Sequence, residues 1–151
     1  MTKDDKKNAY LYCKFRDEQF ALYDEYAKRL GMLMKTLLVV NALYYAQERL
    51  IQTDVCRRTF QSKQTVNLII KNLLAQGYVT VTEVPENKRN KLVCMTETGR
   101  GYCEKVVRHI TWAEDTAMAM FTPEEQKTLI DLSRMFTKNL TMLVNRETEE
   151  A

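Results

Sequence analysis

A change of hydrophobic period near residue 77 constrains this sequence most. Before that point, apolar residues repeat at the 3.6-residue spacing of an amphipathic helix: Val66, Ile69, Ile70, Leu73 and Leu74. After it, residues 78–84 are rich in β-branched side chains and predict a strand, and residues 91–95 predict a return strand. The polar stretch 85–90 joins the two strands as a loop. The chain must therefore place a β-hairpin directly after an amphipathic helix.

The polar face of this helix has the chemistry of a DNA-reading surface. Ser62 is suited to cap the helix, because its hydroxyl can accept from an N–H of the first turn. The face opposite the apolar stripe carries Lys63, Gln64, Asn67 and Lys71. Amides can pair with base edges and cations with phosphates, so the pattern predicts a recognition helix. A solvated surface helix is the plain alternative.

Helices are also predicted on both sides of this segment, and only 4 Gly and 2 Pro in 151 residues agree with long helices. A first helix is predicted to stop at Gly31, a third to be capped by Thr53, and a fifth by Thr96. Thr122-Pro123-Glu124-Glu125 predicts a restart. The remaining helices are predicted at residues 8–30, 36–47, 52–59, 97–120 and 123–145.

The order of these elements is that of a winged helix-turn-helix domain. A short helix, a tight connection at Phe60-Gln61 and a polar-faced helix precede a hairpin whose tip carries Lys88 and Arg89. The helix would lie in the major groove, and the hairpin tip could enter a narrow minor groove, whose potential attracts cations. The predicted class is mainly α with a small β-hairpin wing.

The distribution of charge favours a polyanionic partner for the middle of the chain. Net charge is +3, but residues 51–91 carry seven Lys or Arg against three acids, and residues 114–151 carry four against eight. The four cysteines form no CxxC pair and there is one His, which excludes the usual zinc spacings. No signal peptide, membrane span, nucleophile–base pair or phosphate-binding loop is found. We therefore expect a cytoplasmic, non-enzymatic protein without cofactor or metal.

The segment from Leu30 to Gly99 resembles the MarR family of bacterial transcription regulators. Three motifs support the resemblance: Lys63-Gln64-Thr65-Val66-Asn67 at the recognition helix, Asn87-Lys88-Arg89 in the wing, and Leu92-Val93-Cys94-Met95-Thr96-Glu97-Thr98-Gly99, which resembles the family's LVxLTxxG. Two departures stand out. Asn87 replaces the usual Asp of the wing, and the turn Thr59-Phe60-Gln61 lacks the Gly that many members carry.

The resemblance implies a single domain over residues 1–151 that forms a homodimer. Residues 8–30 and 100–147 would supply dimerisation helices, and residues 35–99 the DNA-binding lobe. A two-fold dimer would bind a pseudo-palindromic double-stranded operator with half-sites about one turn apart. The residues expected to contact DNA are Ser62, Lys63, Gln64, Thr65, Asn67, Lys71, Lys88, Arg89 and Arg57, with Lys71 and Arg57 more suited to phosphate.

The resemblance also implies a repressor that a small aromatic or phenolic effector releases from DNA. Side chains that could line an effector pocket are Tyr23, Tyr26, Met34, Tyr44 and Tyr45, although ordinary packing explains them as well. Some family members sense peroxides through a cysteine on the first helix, so Cys13 is a candidate redox switch beside a structural interpretation. A winged-helix module that binds protein instead of DNA is a further alternative.

Overall fold

The computed structural model describes residues 1–46, 49–84 and 87–149. Within these ranges the chain forms helices and strands in this order: α1 (Lys3–Arg29), α2 (Met34–Tyr45), β1 (Leu50–Ile51), α3 (Gln52–Thr59), α4 (Lys63–Ala75), β2 (Val79–Val84), β3 (Asn87–Met95), α5 (Glu97–Ala119) and α6 (Pro123–Glu149). The predicted class, mainly α with a β-hairpin wing, is confirmed. The chain divides into two compact units, Met1–His109 and Ile110–Ala151.

Helix α1 starts at Lys3, five residues before the predicted start. The cause is a capping box: the Asp5 N–H donates to Thr2 Oγ1 over 3.1 Å, and the Thr2 N–H donates to Asp5 Oδ2 over 2.6 Å. These bonds to the carboxylate lower the pKa of Asp5. At the other end the predicted stop is confirmed, since Gly31 has a φ of 72° and its N–H donates to Lys28 O.

The core of the first unit is built from small β-branched side chains. Val39 and Val40 of α2, Val55 of α3, Val66 of α4 and Val93 of β3 are all essentially inaccessible. Burial of two successive valines shows that α2 is covered on more than one side, as its apolar run predicts. Helix α2 begins two residues earlier than predicted, and its predicted end at Gln47 lies outside the described residues.

The sheet has three strands in the order β1-β3-β2, all antiparallel. Strand β1 was not predicted: Leu50 pairs with Val93 on the side of β3 opposite Val81 of β2. Strand β2 starts at Val79, one residue later than predicted, and β3 already starts at Asn87, inside the predicted loop. The register of the hairpin shifts between Glu83 and Val84. The wing is therefore longer on its return side than the sequence indicates.

Helix α3 has the predicted bounds but not the predicted cap. Its N-cap is Ile51, which makes no side-chain capping bond, and Thr53 lies inside the helix. Because Ile51 also belongs to β1, the strand runs directly into the helix and leaves no residue for a polar cap. Asp54 lies in its first turn.

The second unit contains the end of α5, a turn and α6. Thr122 and Glu125 form a second capping box, with 2.8 Å from the Thr122 N–H to Glu125 Oε2, and Pro123 takes the first helical position, as predicted. Helix α6 continues to Glu149, beyond the predicted end near residue 145. No described helix of the chain is long and apolar enough to span a membrane.

Candidate nucleic-acid interface

Ser62 fixes the start of α4. Its Oγ accepts from the Thr65 N–H over 3.2 Å, which confirms the predicted N-cap, and lies 2.9 Å from Thr65 Oγ1. Both hydroxyls are therefore engaged at the first turn of the helix. A helix N-terminus carries partial positive charge, so this end of α4 also favours an approaching phosphate.

The two faces of α4 separate as the sequence predicts, with one exception. Val66, Ile69, Ile70 and Leu73 are buried, but Leu74 is 46% exposed and does not belong to the packed stripe. On the opposite face Lys63, Gln64 and Lys71 are exposed, and Thr65 and Asn67 are half-buried. Because the apolar face is packed into the core, the polar face points outward and can enter a groove.

Leu68 is a further residue of the exposed face. It is 61% exposed and lies four positions after Gln64 and three before Lys71, on the same side of the helix. An apolar side chain in the major groove can contact a thymine methyl group. Leu68 was not predicted to lie on this exposed face of α4, although its spacing from Gln64 was sufficient to place it there.

The buried amide of Gln52 contacts the polar face of α4 from the protein interior. Gln52, the first residue of α3, is 7% exposed, and its Nε2 donates to Asn67 Oδ1 over 3.4 Å. This contact joins the two helices of the helix-turn-helix at a residue that the sequence predicts to meet DNA. Gln52 carried no signal in the sequence, because a polar residue at a helix start is expected to be exposed.

The other predicted cations lie in different surroundings. Arg57 is exposed on α3 and forms an ion pair with Asp54, one turn earlier on the same helix. The backbone of Lys88 and Arg89 belongs to β3, while the side chains of these two residues lie outside the described part of the structure. The hairpin thus continues to the segment that carries these two cations.

The connection between α3 and α4 contains an unusual backbone conformation. Phe60 has φ 54° and ψ 33°, the left-handed region, and its side chain is 95% exposed. A non-glycine residue there is strained, since Cβ crowds the backbone. The Phe60 and Gln61 N–H groups both donate to Cys56 O, and Gln61 Nε2 donates to Lys35 O over 3.0 Å. The turn is therefore held against α2 without the glycine that relieves such strain.

A groove of about 820 Å³ lies beside this turn. Its lining residues come from α1, α2, the end of α3 and the turn: Phe20, Met34, Lys35, Leu38, Asn41, Ala42, Tyr45, Arg58, Thr59, Phe60 and Gln61. Asn41 Oδ1 and Gln61 Oε1 are buried and lack a hydrogen-bond partner within the described residues. The groove is thus largely apolar, and two of its lining residues carry buried amide oxygens without a partner in the described part of the chain.

Only some of the side chains predicted as ligand contacts line this groove. Met34 and Tyr45 line the groove, whereas Tyr23, Tyr26 and Tyr44 do not. Tyr26 is 9% exposed, and its hydroxyl donates to Val106 O over 2.7 Å, so it joins α1 to α5 within the core. Tyr44 packs edge-on against Tyr45, with ring centroids 5.2 Å apart.

The four cysteines are free thiols. Cys13 is half-buried on α1, and Cys56 and Cys94 are also half-buried. Cys103 is 1% exposed, and burial raises its pKa to about 11, so this thiol stays protonated at neutral pH. In the described part of the chain no three His, Cys, Asp or Glu side chains are grouped as metal ligands.

A capped, polar-faced helix that follows a short helix and precedes a β-hairpin defines a winged helix-turn-helix protein. The chain matches the model of the MarR family over residues 30–90. It is 24% identical over 141 residues to the HTH-type transcriptional regulator SarZ of Staphylococcus epidermidis, which covers 93% of this chain and 94% of that protein.

Solved structures share the fold at low sequence identity. The MarR family regulator NMB1585 of Neisseria meningitidis superposes with a TM-score of 0.78 at 18% identity, over 97% of this chain and 99% of that one. MepR of S. aureus, solved in complex with DNA, gives a TM-score of 0.68 at 19% identity, over 86% of this chain and 96% of that one. These similarities establish the architecture on which the interface is built.

Proposed function

We propose that this protein is a dimeric, sequence-specific DNA-binding regulator of transcription, acting as a repressor. The observation that carries the proposal is the arrangement of α4. Its apolar face is fixed in the core, and its N-terminal turn presents Lys63 and Gln64 to solvent. MepR, which has the same fold, was solved in complex with DNA.

The exposed residues of α4 would contact different parts of the DNA. Gln64 can pair with a base edge, Leu68 can contact a thymine methyl group, and Lys63 and Lys71 can neutralise phosphates. Lys88 and Arg89 of the wing would enter the adjacent minor groove. Two copies related by a two-fold axis would address both halves of a pseudo-palindrome.

Selection from a library of randomised duplexes tests this function. We expect the wild-type protein to enrich a pseudo-palindrome with half-sites about one turn apart. On that operator Gln64→Ala should weaken binding by at least about 30-fold, because the dimer loses one bidentate base contact in each half-site. Enrichment of no sequence, with only weak binding that added salt abolishes, would contradict the proposal.

A matched pair of lysine variants tests the placement of α4. Lys63→Ala and Lys138→Ala remove the same charge from two exposed helix positions, one on α4 and one on α6. A lysine that neutralises a phosphate contributes about one unit to the slope of log affinity against log salt. Because the dimer carries two copies of each lysine, Lys63→Ala should reduce the slope by about two units, and Lys138→Ala should leave it unchanged. Equal effects of both variants would remove α4 from the interface.

The groove beside the α3–α4 turn supports a small aromatic or phenolic effector as the releasing signal. Phe20, Met34 and Tyr45 offer apolar contacts. A phenolic hydroxyl could donate to Asn41 Oδ1 or Gln61 Oε1 once a side-chain rotation turns that buried oxygen into the groove. A ligand there would touch the turn that fixes the start of α4. It would release DNA only if it bound the non-binding arrangement of the dimer more tightly.

Phenol and 4-hydroxybenzoate are suitable first probes of this groove. Either compound should raise the melting temperature of the wild-type protein and weaken operator binding. Asn41→Ala should reduce both effects. Tyr23→Phe should preserve them, because Tyr23 does not line the groove. If Tyr23→Phe abolished the response and Asn41→Ala did not, the effector site would lie elsewhere.

A further inference from the structure

The buried Gln52 is placed where it can control how α4 reads DNA. It is the buried polar side chain of the described core, at 7% exposure. A buried amide needs hydrogen-bond partners, since leaving its groups unpaired is costly. Gln52 Nε2 donates to Asn67 Oδ1 over 3.4 Å, from α3 to the outward-facing side of α4. The contact therefore orients the amide group of a half-exposed residue in the candidate interface.

The orientation decides which hydrogen-bonding groups Asn67 can offer. An asparagine reads adenine by accepting from N6 with its oxygen while it donates to N7 with its nitrogen. In this structure the oxygen of Asn67 is turned towards a buried partner. Although Asn67 Oδ1 keeps a second lone pair, it is turned towards the buried Gln52. The amide nitrogen is therefore the group that faces DNA, and it can only donate.

We propose that Gln52 is a positioning residue that sets the base preference of Asn67. With its oxygen held by Gln52, Asn67 acts as a donor and favours guanine, whose O6 and N7 are adjacent acceptors in the major groove. This differs from the bidentate reading of adenine that an unconstrained asparagine can make. The inference rests on the proposed DNA-binding function and specifies the chemistry of one base contact.

Gln64 provides an internal comparison on the same helix. Its side chain is exposed and has no hydrogen bond to another described residue, so both ends of its amide remain available. Gln64 can therefore still read adenine with two bonds. Two amides three positions apart would then select different bases, because a partner in the core orients only one of them.

Selection from randomised duplexes with a set of four proteins tests the inference. The set is the wild type, Asn67→Ala, Gln52→Met and the double variant; Met keeps an apolar, flexible side chain in the buried site but cannot donate. In the wild type, one base pair of the half-site should prefer guanine, and Asn67→Ala should abolish that preference. Gln52→Met should shift it towards adenine by about 10-fold, because the freed amide can form the bidentate pair.

The double variant distinguishes positioning from simple support of the fold. If Gln52 acts through Asn67, Gln52→Met should not change the base preference once Asn67 is alanine. A loss of affinity that is equal for all duplexes, and equal with and without Asn67, would overturn the inference. A wild-type preference for adenine or cytosine at the Asn67-dependent pair would overturn it even if Gln52→Met did not fold.

Two failures can be told apart in the same experiment. If the wild type enriches an operator but Asn67→Ala changes no position of it, the inference fails and the DNA-binding function stands. If the wild type enriches no sequence at all, the proposed function fails and the inference fails with it.

Discussion

Gly99 is the residue at which the fold leaves least room. A Cβ at this position would lie 1.8 Å from the carbonyl oxygen of Tyr78, which itself accepts from the Thr96 N–H over 3.0 Å. The first turn of α5 can therefore approach the end of α4 only through glycine. One turn further, the ring of Tyr102 stacks on Tyr78 with centroids 4.2 Å apart.

Gly99→Ala should destabilise the protein by about 2–4 kcal/mol, because the added methyl group forces the backbone of α5 away from Tyr78. Gly101→Ala is the matched control, since a Cβ there meets nothing within 4 Å. In a helix interior that control should stabilise by about 0.5–1 kcal/mol. Urea unfolding measures both changes. Similar effects of the two variants would refute the close approach at Gly99.

Phe60 carries strain that a substitution can relieve. Asparagine tolerates the left-handed region better than phenylalanine, and the exposed ring of Phe60 has little packing to lose. Phe60→Asn should therefore raise the free energy of unfolding by about 1 kcal/mol. Phe60→Leu keeps the crowded Cβ and should leave it unchanged. A loss of stability in Phe60→Asn would show that the ring packs in solution.

At the scale of elements, Thr96 links three segments of the winged helix-turn-helix. Its Oγ1 donates to Gly77 O over 2.8 Å at the end of α4, and it accepts from the Gly99 N–H over 2.9 Å at the start of α5. The residue itself follows β3. The Thr96 hydroxyl therefore connects the segments that follow α4 and β3 with the first turn of α5.

Thr96→Val keeps the shape of the side chain and removes both hydrogen bonds. The loss of a partly buried helix-cap bond and of a second, exposed bond should cost about 2 kcal/mol in urea unfolding. Thr96→Ser retains the hydroxyl and should lie close to the wild type. A Thr96→Val protein as stable as Thr96→Ser would contradict the role assigned to the hydroxyl.

Local patterns explain which elements the sequence could predict. Helix α4 and its Ser62 cap follow from hydrophobic period and capping chemistry, which neighbouring residues determine. Strand β1 could not be predicted, because two residues have no period and Leu50 pairs with Val93, far along the chain. The misplaced cap at Thr53 has the same origin, since pairing of β1 fixes where α3 begins.

In the candidate interface, too, local features could be predicted from the sequence and contacts between elements could not. Lys63 and Gln64 were predictable, because helical spacing alone puts them opposite the packed stripe. The contact between Gln52 and Asn67 was not, because it depends on how two helices pack. The same holds for Tyr26, which the sequence suggests as a ligand contact but whose hydroxyl is bonded to Val106 O.

At the scale of the whole molecule, the apolar side chains of α6 require a partner surface. None of its described side chains is buried, and several large ones are 43–55% exposed: Leu129, Leu132, Leu140, Leu143 and Val144. Monomeric proteins rarely expose continuous apolar surface of this kind. We therefore expect a homodimer in which α6 contributes to the interface.

Leu140→Glu should convert the protein to a monomer, because it would bury an unpaired carboxylate between the two copies. Lys138→Glu also introduces an acid on α6, two positions away at an exposed polar site, and should remain dimeric. Sedimentation equilibrium at micromolar concentration measures the mass of each variant. For the wild type the melting temperature should rise with protein concentration, as dissociation accompanies unfolding. A monomeric wild type with a concentration-independent melting temperature would exclude the dimer and, with it, simultaneous reading of two half-sites.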